Sequence, residues 1–155
     1  MRAARGVDIP LCKLPVGQSI EVVVDPREFY VATGVQVDGG ERYRVRGRGR
    51  WRDGMLAPCD ADGWRRWYAL PFRLWNRVGG VELLRLCGAI GRSERFLFAG
   101  GREAVWQIPP EAATLAPETR ELFLFANDWP NRYFNNVALP PQEGGPLRAM
   151  LTRSA

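Results

Sequence analysis

Apolar side chains fall in short runs along this chain, each fenced off by turn residues. Residues 19–24, 29–35, 41–50, 81–90, 95–99, 104–108, 121–126 and 147–152 are rich in Val, Leu, Phe, Tyr and Trp, and Gly, Pro, Asn or Asp lie between them. Runs of this length between such breakers predict strands. Eight of them at short spacing predict an all-β chain, a jelly-roll-like antiparallel β-sandwich of about eight strands. The stretch 55–78 behaves differently. It carries Cys59, Asp60, Asp62, Trp64, Trp67, Tyr68, Pro71, Trp75 and Asn76 with no sustained period, which predicts one long irregular loop, packed or functional, with a short helical turn around 64–70. Pro109, Pro110 and Pro117 argue for a loop rather than a helix over 110–116.

In the third run Tyr43, Val45, Gly47, Gly49 and Trp51 alternate with Arg42, Arg44, Arg46, Arg48 and Arg50. A two-residue period puts all five arginines on one face and the aromatics on the other, the core side. A nucleic-acid surface would use such a row to neutralise phosphates but would want aromatic rings on the same face for stacking. The row therefore reads as a solvated strand face, and nucleic acid is not the favoured partner.

Composition bounds the rest. The chain has 155 residues, 46% of them apolar and 25% charged, enough to bury a core without disulfide or metal staples. Residues 1–18 read as an N-terminal extension and 19–155 as one sandwich domain. The net charge of +5 rests almost wholly on arginine, Lys13 being the single lysine; it permits acidic partners without naming one. Cys12, Cys59 and Cys87 are odd in number and lack metal-type spacing, so each reads as a small apolar residue. No run reaches the length of a secretory leader's apolar core or of a membrane span. The expected location is the cytoplasm, or outside the cell by export without a signal peptide.

Chemistry is concentrated after the apolar run Leu122-Phe123-Leu124-Phe125, where the chain reads Ala126-Asn127-Asp128-Trp129-Pro130-Asn131-Arg132-Tyr133-Phe134-Asn135-Asn136. Carboxylate, carboxamide and turn carbonyl oxygens at this density suit a hard cation such as calcium, which takes six to eight oxygen ligands. The chain has no histidine and no clustered cysteine, which disfavours zinc. Spacing alone supports equally the plainer reading, in which Asn and Asp bond their own backbone to stabilise turns.

The run N-D-W-P-N-R-Y-F-N-N resembles the calcium loop of the bacterial galactophilic lectins of the PA-I type, whose pattern is N-D-x-P-x-x-Y-x-N-N after a hydrophobic strand. Asp128, Pro130, Tyr133, Asn135 and Asn136 fall at matching positions. Weaker likeness lies in Ala32-Thr33-Gly34-Val35, in the run ending Gly49-Arg50-Trp51-Arg52-Asp53-Gly54, and through Leu86, Gly88, Ile90 and Gly91. The resemblance implies a galactose-binding-like β-sandwich in which Asp128, Asn135 and Asn136 give side-chain oxygens to Ca2+ while Arg132 and Asp53 give main-chain carbonyls. It implies further that two sugar hydroxyls complete the shell of the ion, with Asp128 and Asn135 also bonding them. The family's histidine and glutamine sugar contacts have no counterpart in 55–78, so calcium binding transfers better than galactose recognition.

Two functions follow as expectations. One is a calcium-dependent, lectin-like carbohydrate-binding module for a sugar or glycoconjugate, with Trp129, Tyr133, Trp64 and Trp67 as apolar platforms and homo-oligomerisation raising avidity. The alternative is a protein-interaction or scaffold module that keeps a structural calcium loop without binding sugar. An enzyme is not expected, because nothing in the sequence sets a nucleophile beside a base.

Overall fold

The computed structural model describes residues 10–65 and 73–155. It is an antiparallel β-sandwich. Ten strands follow one another among the described residues: β1 Ser19–Val23, β2 Val31–Gln36, β3 Arg42–Arg48, β4 Trp51–Asp53, β5 Leu86–Ile90, β6 Leu97–Ala99, β7 Ala104–Gln107, β8 Glu121–Ala126, β9 Asn136–Ala138 and β10 Arg148–Ser154. One sheet runs β1-β10-β3-β7, the other β2-β8-β5-β6, and β4 pairs with β9 as a two-stranded ribbon. No described helix is long and apolar enough to cross a membrane.

Alternation builds the first sheet. On β3, Tyr43, Val45 and Gly47 are buried and the arginines between them are not, so one face meets the core and the other meets water. The row ends one arginine early. Gly49 has φ +100°, which breaks the strand, and Arg50 turns to donate to the Pro58 carbonyl at 3.2 Å. Among the arginines that remain, Arg44 pairs with Glu103, and Arg148 on neighbouring β10 reaches Glu21 at 3.2 Å. With its aromatics inside and part of its charge answered by carboxylates, this face is the solvated surface the alternation predicts.

The second sheet lies deeper. Every residue of β5 is buried, and on β8 only Glu121 is not, because both faces are covered. Leu86, Ile90, Leu122, Leu124 and Ala126 meet Tyr43, Val45, Trp106, Ala149 and Leu151 in the main core. Cys87, Ala89 and Phe125 face the other way into a small second core closed by Tyr30, Val78, Val81 and Leu97. The run 81–90 is not one strand. Val81 packs on the second core while Leu83 and Leu84 pack into the main one, Leu83 bridges Trp64, and Leu84, at φ +58°, donates its N–H to the Asn127 carbonyl at 2.6 Å.

Other boundaries moved for local reasons. β4 and β9 are three residues each, too short for a pattern to announce, which accounts for ten strands where about eight were expected. Residues 110–114 form a short 3₁₀ turn, Pro110–Thr114, with proline in its first turn, where the missing N–H costs nothing. Ahead of β1, Cys12 N–H donates to Gly34 O and Cys12 O accepts from Gln36 N–H, both at 2.9 Å, so this segment lies along the edge of β2. All three cysteines are free. Burial lifts the thiols of Cys59 and Cys87 to about 12, which leaves them protonated and unreactive.

Trp106 spans the two sheets. Its Nε1–H donates to Ala99 O at 2.8 Å, its ring stacks on Phe98 at 5.4 Å, and a Cβ placed on Gly88 would lie 2.5 Å from the ring. Glycine at 88 is thus required by packing. Gly88→Ala is expected to cost about 1–3 kcal/mol through overpacking, read as a lower urea midpoint with an unchanged denaturant slope.

Candidate functional site

The candidate loop begins where β8 leaves the core. Asn127 is fully buried and acts as a clamp. Its Oδ1 accepts from Val78 N–H at 2.9 Å, and its Nδ2 donates to Val78 O at 3.1 Å and to Val81 O and Glu82 O at 3.2 Å. The Asp128 carbonyl accepts from Arg77 N–H at 3.0 Å, Arg132 N–H closes a turn on Trp129 O at 2.9 Å, and Asn135 O accepts from Gly54 N–H at 2.7 Å. A 3₁₀ turn, Tyr133–Asn135, then delivers the chain into β9, where Asn136 stands opposite Asp53 of β4. Segments distant in sequence are stitched to the loop at both ends.

Beneath it lies a buried cation of the protein's own. The Arg77 side chain is 1% exposed. Its guanidinium lies 3.5 Å from the centre of Phe29 and 3.7 Å from that of Phe125, donates to the Phe29 carbonyl at 2.6 Å and to the Tyr133 hydroxyl oxygen at 3.1 Å, and pairs with Glu94 at 2.8 Å. The Tyr133 hydroxyl in turn donates to Ala126 O at 2.5 Å. Charge, ring faces and hydrogen bonds together satisfy a group that would otherwise be costly to bury.

Three oxygens of the loop lack such partners. Asp128 Oδ2, Asn135 Oδ1 and Asn136 Oδ1 are buried with no hydrogen-bond partner. Two of their side chains are held by the other polar atom: Asp128 Oδ1 accepts from Trp129 N–H at 2.7 Å, and Asn136 Nδ2 donates to Pro26 O at 2.9 Å. Each unpaired acceptor costs about 1–3 kcal/mol, and three from one ten-residue loop is a concentration that local turn bonding would have relieved. Burial raises the Asp128 carboxyl to about 6, and the nearby Asp53 carboxylate adds to the rise, while Trp129 N–H, Asn136 and Arg132 pull the other way. The Asp53 carboxyl is also raised, by burial, with Arg132 opposing. Arg132 is a positive charge felt by both carboxyls, lowering each against the effect of burial. Among the described residues no three His, Cys, Asp or Glu side chains gather as a metal cluster, so carboxamide and main-chain oxygens would have to complete any cation's shell. That donor set fits a hard cation and no softer one.

Beside these oxygens opens a cavity of about 400 Å³ whose described lining includes Asp53, Asp128, Asn135, Arg132, Trp129 and Trp64. Six of the residues singled out from the sequence are therefore brought together. Asn136 stands at their base opposite Asp53. Tyr133 is corrected: it is not an apolar platform facing a ligand but a buried strut, packed edge-on against Phe29 at 5.2 Å. Trp64 is also largely buried, its Nε1–H donating to Ala57 O at 2.9 Å, yet it keeps a place in the cavity wall. Trp67 lies outside the described residues. Sequence reasoning missed Asn127 and Arg77 as the supports of the loop, and Arg73 and Asn76 in the cavity lining. Asn127 had a signal in the N-D pair after a strand, whereas nothing local distinguishes Arg77 from the chain's other arginines.

No protein-family profile and no curated protein sequence matches the chain. Among solved structures, one described as the EclA N-terminal domain, a PllA-like lectin, superposes with a TM-score of 0.55 and 21% identity, over 88% of this chain and 95% of that one. At that identity the likeness is one of fold, and it extends over nearly the whole of both chains.

Tyr133→Phe isolates the strut. It removes the hydroxyl that serves Ala126 O and Arg77 while keeping the ring, and is expected to destabilise the protein by about 1–3 kcal/mol in thermal or denaturant unfolding. An unchanged midpoint would mean that the hydroxyl carries no load.

Proposed function

We propose that this protein is a calcium-dependent carbohydrate-binding module whose ion is held by the side-chain oxygens of Asp128, Asn135 and Asn136 and the main-chain carbonyls of Arg132 and Asp53. The observation that carries the reading is the set of three buried, unpaired side-chain oxygens in one loop. Both carbonyls have room for a further partner: Asp53 O accepts one bond, from Leu56 N–H at 2.8 Å, and Arg132 O one long bond, from Asn135 N–H at 3.3 Å. With Asp128 and Asp53 ionised, a divalent cation leaves the cluster near neutrality. When bound, the ion offers a Lewis-acidic seat for two neighbouring hydroxyls of a sugar.

The protein's own part is orientation. Asp128 and Asn135 line the cavity and have oxygens able to bond the same hydroxyls. Trp129 and Trp64, with Leu56 and Leu83, give apolar walls against which the C–H face of a ring can rest, and the volume lies within the roughly 300–1,000 Å³ of small-molecule sites. The lectin-like neighbour of the same fold supports a carbohydrate as the ligand class. No general base or nucleophile is required, because the bound sugar leaves unchanged.

A second reading, a protein-interaction module with a structural calcium loop, is favoured by one observation. Met55, Leu74, Trp75 and Phe134, on or beside the loops of the cavity, are 95%, 76%, 59% and 75% exposed, an apolar rim of the kind that marks contact surfaces.

Calorimetry separates the two. Chelator-stripped protein is expected to bind one calcium, and Asp128→Ala to weaken it by more than about 100-fold, beyond the loss typical of an outer-shell change. Calcium at about 100 times its Kd is expected to raise the melting temperature by several degrees. Methyl hexopyranosides are then expected to bind only with calcium present and to be released by chelator. Calcium binding without any sugar binding would favour the interaction module; no calcium binding at all would remove the basis of both readings.

A further inference from the structure

Beside the candidate site lies a second depression of about 500 Å³, whose described lining is Trp75, Trp129, Pro130 and Asn131. Trp129 belongs to both linings, so the two spaces are no further apart than one tryptophan. The second is open to solvent: Trp75 is 59% exposed, Pro130 and Asn131 are exposed and Trp129 is half-buried. A ligand reaches this surface from water without any opening of the fold.

Both indoles are held in place. Their rings meet edge to face, with centres 5.7 Å apart at 72°, and the Arg132 guanidinium lies 5.7 Å from the centre of the Trp129 ring. Next to Trp75 in the chain, Asn76 N–H donates to Arg73 O at 3.2 Å and Arg77 N–H to Asp128 O at 3.0 Å. Trp129 N–H is tied to Asp128 Oδ1 at 2.7 Å. Rigid tryptophan gives a large contact area at small entropic cost. The described lining holds no ionisable side chain, so it binds through ring faces, Pro130 and one carboxamide.

We infer that Trp75, Trp129 and Asn131 form a second subsite, which receives another ring of an oligosaccharide whose first residue occupies the calcium cavity. The inference rests on the carbohydrate reading above and extends it from one sugar ring to two or more. A pyranose has an apolar C–H face and a rim of hydroxyls. The aromatic corner suits the face, and the Asn131 carboxamide can donate to one hydroxyl while accepting from its neighbour. The volume is that of a small-molecule site, whereas a protein partner needs roughly 800 Å² of surface; of the exposed apolar residues Met55, Leu74, Trp75 and Phe134, Trp75 alone lines the depression. Linkage supplies the affinity: a ring tethered to a neighbour already bound meets the second surface at high effective concentration, so a contact too weak to hold a free sugar still counts.

The test uses the full chain with calcium. An array of immobilised mono-, di- and trisaccharides selects the best oligosaccharide, which is then compared by calorimetry with the methyl and p-nitrophenyl glycosides of its cavity-bound residue. The oligosaccharide is expected to bind at least about tenfold more tightly than the methyl glycoside. Trp75→Ala is expected to abolish that gain while leaving calcium and methyl glycoside affinities within about twofold of wild type, and Trp75→Phe to keep part of it. Oligosaccharides no tighter than the methyl glycoside, a gain that survives Trp75→Ala, or a loss shared equally by mono- and oligosaccharide would overturn the inference and leave the carbohydrate reading intact. A gain shown by the p-nitrophenyl glycoside and by no oligosaccharide would also overturn it, in favour of an aromatic aglycone. If Trp75→Ala does not fold, Trp75→Phe and Asn131→Ala, each expected to weaken the oligosaccharide alone, decide it. Calcium-loaded wild type that binds no glycoside would overturn both readings.

Discussion

The buried guanidinium of Arg77 is the contact on which the architecture around the site depends. It comes from the long segment between β4 and β5, sits between Phe29 and Phe125, and reaches Tyr133 on the far side of the candidate loop. Its own N–H bonds the Asp128 carbonyl. An ion-like group with its ring faces and hydrogen bonds satisfied has one position available to it, because any displacement would strand a charge in an apolar setting. Three otherwise separate pieces, the segment before β2, the segment before β5 and the loop after β8, therefore share one anchor.

That rigidity gives the unpaired oxygens their meaning. A mobile surface loop with free carboxamides would turn them to water. Here Asn127 clamps the first turn to Val78, Val81 and Glu82, the β4–β9 ribbon holds the last, and Asp128 and Asn136 are each tied by one atom so that the other is left bare. The protein accepts an electrostatic cost at Asp128, visible in a carboxyl raised to about 6. Other buried side-chain atoms also lack partners, among them the Nε atoms of Arg52, Arg120 and Arg153, but in this loop three oxygens without partners come together. The proposed cation would pair the unpaired oxygens of Asp128, Asn135 and Asn136.

What the amino-acid order determined alone was whatever rests on local period and composition. Alternation in 41–50 predicts a half-buried strand because a strand's side chains must point to opposite faces, and the strand that forms covers Arg42–Arg48. The apolar run ending at Ala126 predicts β8 to the residue, and the Asn and Asp that follow announce a polar loop through their crowding. The resemblance of that loop to a lectin calcium loop added an ordering of candidate ligands, Asp128, Asn135 and Asn136; each of these side chains has one buried oxygen without a partner, as does Asn76 outside the loop.

Only the tertiary structure decided the rest, since it depends on partners distant in sequence. Whether Tyr133 faces a ligand or the core is set by Arg77, fifty-six residues away along the chain, and no spacing rule carries that information. β4 and β9 exist only because each pairs with the other across most of the chain's length. Residues 81–85 look like a strand by composition but divide between two cores, Val81 packing on Cys87, Ala89 and Phe125 and Leu83 and Leu84 on the main core. A sequence specifies its donors and acceptors; which of them remain unpaired is settled when the chain closes around them.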